Sequence, residues 1–337
     1  MKKYLLPQNG CFYKVNLHCH STFSDGNWTP KEIKENYKEQ GYSVVAYTDH
    51  NVLLSHDELS DEEFLALNGV EININDEKYP DKYAKTCHVC MIAIEPDNLI
   101  HPCWHREKYL NKHTSEFRDL VKFDETKPDV ERIYNSDCIN SIIKMGRDAG
   151  FFVTYNHPTW SGESYDTYMN YEGMHAMEVC NYECVCLGHD EHNEKIYDSM
   201  LKSGKRIYCV ATDDNHNKAN MESSFGAFTM IKADKLEYKS ITEALVKGEF
   251  YATEGPLINE LWYEDGKVYI TFSPARETFI TNANRRVSRI KGEGDELITK
   301  ACFNVENDDM FFRITVEGAD GKRAYTNAYF IDELTEF

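Results

Sequence analysis

What the chain lacks narrows the field first. No stretch of its 337 residues reaches the roughly 18 consecutive apolar side chains that a membrane-crossing helix requires. The opening Met1-Lys2-Lys3-Tyr4-Leu5-Leu6-Pro7 is basic and then only briefly apolar, too short for a secretory signal. Positive charge is in deficit: 37 Lys and Arg against 57 Asp and Glu leave a formal net charge of −20. Such a surface argues against a membrane partner or a long nucleic acid. A small anionic substrate stays compatible, because bound divalent cations reverse the local field. Internal repeats and low-complexity tracts are missing. The eleven cysteines are odd in number and scattered, not packed into a short scaffold, which predicts reduced thiols and a soluble, cytoplasmic protein.

What is present supports a folded α/β chain. A hydrophobic content of 41% can fill one large domain, or a large domain plus a small one. Short runs rich in β-branched and aromatic residues predict strands at 11–17, 43–48, 69–74, 87–94, 151–155, 174–180 and 206–212. Helical patterns fall at 30–40, 137–149 and 190–203, the first with Thr29 as N-cap and Pro30 at its first position. This alternation predicts parallel strands with helices outside. Residues 95–136 break the rhythm with Pro96, Pro102 and Pro128, and read as an insertion over one end of the sheet. After Gly255-Pro256 the pattern changes to short alternating strands at 257–273 and 299–331. The expected division is therefore 1–255 and a small antiparallel β domain at 256–337.

The polar residues fall at the ends of those strands. His18 and His20 lie just past the first, followed by Asp25, and Asp49-His50 closes the second. Glu71 lies within the third, His88 within the fourth, His157 after the fifth, and Asp214 and His216 after the last. In parallel α/β folds the carboxyl ends of the strands share one face, where active sites form. A lone histidine is usually a core or surface residue, and a bare His-x-His is weak. Six histidines and three carboxylates meeting in one cleft would bury imidazoles without partners and stack like charges, unless cations hold them.

These motifs resemble those of the PHP (polymerase and histidinol phosphatase) family. Leu17-His18-Cys19-His20-Ser21-Thr22-Phe23-Ser24-Asp25-Gly26 is similar to its first motif and Tyr47-Thr48-Asp49-His50-Asn51 to its second. Gly69-Val70-Glu71-Ile72 with His88, then Asn156-His157-Pro158 and Asp214-Asn215-His216, resemble the rest. The resemblance, over roughly 14–255, implies a distorted seven-stranded (β/α) barrel and a metal-dependent phosphoesterase. It implies one metal on His18, His20, Glu71 and Asp214, and a second on Glu71, His88 and His157. A third would sit on Asp25, His50 and His216. Mixed nitrogen and oxygen ligation suits two or three divalent ions of manganese, zinc or iron. Metals sharing Glu71 would make hydroxide available for attack on a phosphomonoester of a small molecule, such as a nucleotide or nucleoside bisphosphate. Asp25 and His216 are the candidates to protonate the leaving oxygen.

Further features carry less. Cys180, Cys184 and Cys186 have a zinc-like look but lack a second paired half, and read as a cysteine-rich strand end. In the insertion, His101, Trp104, His105 and His113 are candidates for the cleft mouth. Arg106, Lys108, Arg118 and Arg132 are candidates to grip a phosphate. Phe250-Tyr251-Ala252-Thr253-Glu254-Gly255-Pro256 and the strands after it resemble a PHP branch with a C-terminal β domain, which includes proteins similar to carbamate-insecticide hydrolases. The same cluster therefore leaves three other readings: a 5′–3′ exonuclease on short oligonucleotides, a carbamate or ester hydrolase, and a non-catalytic metal-binding module.

Overall fold

The computed structural model describes residues 2–78, 84–111, 113–218 and 222–335. Its strands and helices follow the apolar runs. After β1 (Lys2–Tyr4) and β2 (Cys11–Asn16) comes α1 (Pro30–Glu39). The Thr29 hydroxyl accepts from the Glu32 amide while the Glu32 carboxylate accepts from the Thr29 amide, a reciprocal cap closing the helix start. Then follow β3 (Val44–Tyr47), β4 (Leu65–Asn75), β5 (Thr86–Ala93), α2 (Ser136–Asp148), β6 (Phe151–Tyr155) and the single turn α3 (Tyr165–Tyr168). Next come β7 (Ala176–Asn181), α4 (Tyr182–Cys186), α5 (Glu194–Lys202) and β8 (Tyr208–Thr212).

Strands β2 to β8 lie side by side in chain order. At the mouth the two ends meet: Cys19 bridges Asn215, the Asp214 amide donates to the His18 carbonyl (3.0 Å), and the His20 amide donates to the Asn215 carbonyl (3.2 Å). Pairing is parallel for β2–β3, β3–β4, β6–β7 and β7–β8. The parallel pairing expected from the alternation holds for these four pairs and is interrupted at β5, which runs antiparallel to both β4 and β6. Only residues 76–85 join Asn75 at the end of β4 to Thr86 at the start of β5, fewer than the dozen or so that a parallel crossover needs, so the strand must reverse. That reversal matters for chemistry, because it brings the amino end of β5, with His88, to the mouth.

The inner face has a dry floor. Val15, Val44, Ala46, Leu65, Leu67, Ile92, Phe152, Ala176 and Val210 form one buried cluster drawn from all seven strands. Two further elements, β9 (Phe228–Ala233) and α6 (Tyr238–Lys247), complete it through Ile231, Ile241, Ala244 and Leu245. Outside, Ile33 and Tyr37 of α1 pack on Val45, Tyr47 and Ala66. Ile139, Ile142 and Ile143 of α2 and Tyr197, Met200 and Leu201 of α5 pack on the outward residues of β4 to β8.

The carboxyl-terminal part is antiparallel, with β10 (Phe250–Thr253), β11 (Ile258–Glu264), β12 (Lys267–Ala275), β13 (Glu277–Asn282), β14 (Ser288–Lys291), β15 (Ile298–Asn304), β16 (Phe311–Glu317) and β17 (Arg323–Thr326). One sheet, β1-β11-β12-β15, takes its edge strand from the start of the chain. The other, β14-β13-β16-β17, continues through β10 and β9 into β2. Leu261, Ile270, Phe272, Phe303, Phe312, Ile314 and Val316 pack between them. No helix among the described residues is long and apolar enough to cross a membrane.

Candidate metal centre

The period-two alternation of a strand decides which side chains enter the barrel. Leu67 of β4 faces the floor, so Glu71 faces the same interior nearer the mouth. On the reversed β5, Ile92 sits in the floor, and Cys90 and then His88 climb from it. Ala176 and Glu178 repeat the pattern on β7, as do Val210 and Thr212 on β8. The remaining groups come from the turns just beyond β2, β3, β6 and β8.

Glu71 is the hub. Five imidazoles lie within 3.4 Å of its carboxylate: His18 Nε2 (3.2 Å), His88 Nδ1 (3.1 Å) and His157 Nε2 (3.3 Å) at Oε1, and His20 Nε2 (3.4 Å) and His50 Nδ1 (3.0 Å) at Oε2. Asp214 Oδ1 lies 3.1 Å from His18 Nε2 and 3.0 Å from His20 Nε2, which are themselves 3.1 Å apart. At the rim, His216 Nε2 is 3.2 Å and His50 Nε2 3.7 Å from Asp25 Oδ1, and Asp25 is 41% exposed. All nine residues singled out by the sequence thus converge. They form overlapping groups able to hold cations, among them His18, His20 and Asp214; His50, Glu71 and His88; and His20, Asp25, His50 and His216. His20 belongs to two of these groups, a sharing that the order of residues along the chain does not reveal.

The donor set fits cations. Glu71 Oε2, Asp214 Oδ1 and His50 Nδ1 are buried yet have no hydrogen-bond partner among the described residues. Such atoms cost about 1–3 kcal/mol each when left unmade. Without cations, protons fill the gap. Burial alone would lower His157, but Glu71 and Asp214 lift it to about 9. His18 and His216 are likewise held well above the ordinary imidazole value against the pull of burial, His18 by Asp214 and Glu71, His216 by Asp25 and Glu183. Burial drives His88 the other way, to about 4. Glu71 and Asp214 stay well below the usual carboxylate range despite burial, because imidazolium charge surrounds them.

The supporting groups escaped the sequence reading. Glu178 is fully buried and accepts from His18 Nδ1 (2.8 Å), Thr212 Oγ1 (2.6 Å), the His157 amide (2.9 Å) and Asn181 Nδ2 (2.9 Å). It fixes the His18 tautomer so that Nε2 turns its lone pair to the cluster. Asp49 accepts from the Ser21 amide and from the Ser21 and Ser24 hydroxyls, all at 2.7 Å, and so shapes the loop carrying His20 and Asp25. Asn156 Nδ2 donates to Glu71 Oε1 (3.1 Å), and the Asp214 carbonyl accepts from His216 Nδ1 (2.9 Å). The available signal was a lone carboxylate, Glu178, inside an otherwise apolar strand. Backbone strain collects here too: His157 (φ 25°) and Asp214 (φ 53°) sit in the left-handed region, at a cost of about 1–3 kcal/mol each.

The insertion plays a different part from the one expected. Arg106 pairs with Asp129, Lys108 with Glu131, and Arg118 with the carbonyls of Arg106 and Glu107. Arg132 is buried against Asn51 and the Asn73 carbonyl. The first three cations hold the insertion together, Arg132 ties it to the strands beneath, and none of the four lines the metal-site cleft. His101 is buried, its Nδ1 accepting from the Cys103 amide (3.3 Å), and His105 meets Glu131 (3.2 Å). His113 Nε2 donates to the Thr22 carbonyl (2.7 Å), and Phe117 packs edge-on against Phe23 (4.9 Å), so the segment braces the first loop from outside. Cys180 and Cys184 are buried, Cys186 is exposed, and all eleven cysteines are free. The cleft itself is lined by Asp25, His50, Glu71, His88, His157, Asp214 and His216, with Trp160, Glu183, Cys184, Leu187 and Lys218.

Fold and cluster together define an α/β protein whose strand ends build a histidine- and carboxylate-rich centre. Residues 16–180 match the model of the PHP domain, so the chain carries a PHP domain. Over 66 residues it is 38% identical to a 5′-3′ exoribonuclease of Haemophilus influenzae, a match covering 18% of this chain and 24% of that one. A two-domain protein of Bacteroides vulgatus, described as containing a PHP-like metal-dependent phosphoesterase, aligns over 97% of this chain and 98% of its own with 16% identity and a TM-score of 0.45. A Bifidobacterium adolescentis protein described as a metal-dependent phosphoesterase aligns over 64% of this chain and 90% of its own, with 18% identity and a TM-score of 0.40.

Proposed function

We propose that the chain is a metal-dependent hydrolase that cleaves a phosphomonoester of a small molecule. The observation that carries this reading is Glu71, a buried carboxylate with five imidazoles within 3.4 Å and one oxygen that makes no hydrogen bond among the described residues. In this reading His18, His20, Glu71 and Asp214 hold one cation, Glu71, His88 and His157 a second, and Asp25, His50 and His216 a third. Manganese, zinc and iron all suit such donors. Cations there would supply a nucleophile at neutral pH and neutralise charge on the phosphate. The chain does the rest: Glu178 and Asp49 fix the ligating side chains, and the floor below keeps water out. Asp25 and His216 stand at the rim, where the leaving oxygen would take its proton. Carboxylates outnumber cations in the cleft, so an anionic substrate would be repelled until metals are bound. The activity is assigned to 1–255, with 256–337 as a β domain beside it, and the free cysteines suit the cytoplasm.

The short match to an exoribonuclease favours a second reading, trimming of 5′-phosphorylated oligonucleotides. Against it stands the cleft, where Lys218 is the only lining Lys or Arg among the described residues, too little for a polyanionic backbone. Metal-reconstituted protein should be assayed on p-nitrophenyl phosphate, nucleoside monophosphates, a 5′-phosphorylated oligomer and a naphthyl carbamate. The expected result is metal-dependent turnover concentrated on the monoesters. Turnover of the carbamate alone, or of the oligomer alone, would overturn it.

Metal loading should release protons. An imidazole lifted to about 9, as His157 is, carries a proton at pH 7 and must lose it to become a ligand. Loading is therefore strong at high pH and weakens as pH falls through that value. Calorimetric titration with Mn²⁺ at pH 7, in buffers of different ionisation enthalpy, should show at least about one proton released per chain. A binding enthalpy independent of buffer would contradict the expectation.

A further inference from the structure

The wall of the cleft carries an aromatic side chain that the metal centre does not need. Trp160 is 38% exposed, and its ring meets His157 (5.0 Å, 85°) and His88 (5.4 Å, 60°) edge-on. A large aromatic left in solvent gives up burial, yet the fold spends a buried carboxylate on holding this one in place. Glu191, fully buried, accepts from the Thr159 amide (3.1 Å) and the Trp160 amide (2.7 Å), and Asn193 Nδ2 steadies it (2.7 Å). Leu187, 51% exposed, is a second apolar group lining the same cleft. Lys218 also lines it, exposed and with no ion-pair partner among the described residues, whereas Arg106, Lys108, Arg118 and Arg132 are committed elsewhere.

From this placement we infer that the cleft selects an aryl phosphomonoester: Trp160 receives the planar leaving group, and Lys218 receives a phosphate oxygen. The inference rests on the phosphomonoesterase reading above and names its substrate class. The ring lies about one ring's breadth from imidazoles of the metal cluster, so the aromatic group has to sit close to the ester oxygen, not at the end of a flexible chain. A single lysine matches a single phosphate. Trp160 and Lys218 are specificity residues here, acting on binding.

Calorimetric binding of phenylphosphonate and methylphosphonate to Mn²⁺-loaded protein tests the inference without turnover. Wild type should bind the phenyl compound about tenfold more tightly, the order expected of one aromatic contact. Trp160→Ala should bring that ratio near one and Trp160→Phe should restore most of it. Lys218→Ala should weaken both ligands about tenfold and keep the ratio. Equal binding of the two compounds by wild type, or a ratio untouched in Trp160→Ala, would overturn the inference. Parallel assays on phenyl phosphate and glycerol phosphate separate it from the broader reading. Turnover without aryl preference removes the platform alone, whereas Trp160-dependent binding with no hydrolysis of any monoester removes the phosphoesterase and keeps the platform.

Discussion

Glu71→Gln should lower hydrolysis by roughly 10³-fold or more, a loss of about 4 kcal/mol in transition-state stabilisation. The substitution keeps the size of the side chain and removes the one carboxylate that His18, His20, His50, His88 and His157 all approach. Cations that share it would lose the charge that lets them sit close together. Folding should survive, because the hydrophobic floor from Val15 to Val210 lies below the cluster and does not depend on it. His113→Ala is the control. Its ring meets the Thr22 carbonyl on the outside of the first loop and the Phe117 ring, away from the cluster, so turnover should change by less than about tenfold. Kinetics, metal content and melting temperature measured on the same samples make the comparison. Near wild-type turnover in Glu71→Gln would remove the shared-carboxylate mechanism.

Glu178→Gln should cut metal affinity by about 10- to 100-fold, although Glu178 is not among the nine proposed ligands. Both of its oxygens accept from donors: His18 Nδ1 and Thr212 Oγ1 at one, the His157 amide and Asn181 Nδ2 at the other. An amide placed either way round turns an NH₂ group toward two donors. One way round, His18 loses the acceptor that fixes its tautomer; the other way, the turn carrying His157 loses its anchor, and in either case stability should fall by about 2 kcal/mol from the unmade bonds. Metal titration of the variant checks the first effect and thermal unfolding of the metal-free protein the second. Unchanged affinity would show that the ligand geometry at His18 and His157 does not depend on the Glu178 carboxylate.

Much of the centre was legible in the sequence because barrel strands put chemistry at fixed places: an apolar run, then a polar residue where the strand leaves the core. His18, His20, His50, His157, Asp214 and His216 follow that rule, and Glu71 follows it as a carboxylate inside a strand. Other features were not legible. The reversal of β5 depends on a connection too short for a crossover, and apolar alternation reads the same in either direction. The elements β9 and α6, which complete the floor, lie where no chemistry-bearing residue drew notice. The cations of the insertion carry the right charge for phosphate, but charge along a sequence does not say that Asp129 and Glu131 already hold Arg106 and Lys108. Trp160 and Lys218 stayed hidden for the converse reason, since a lone tryptophan and a lone lysine have meaning only beside the cleft.

In the proposed reading, the buried atoms of Glu71, Asp214 and His50 that make no hydrogen bond among the described residues are there to meet cations. Elemental analysis of protein stripped with a chelator, reconstituted with excess Mn²⁺ and freed of unbound metal tests it most directly. Two or three equivalents per chain are predicted, falling in Glu71→Gln. Well under one equivalent, in a protein that remains folded, would contradict the account.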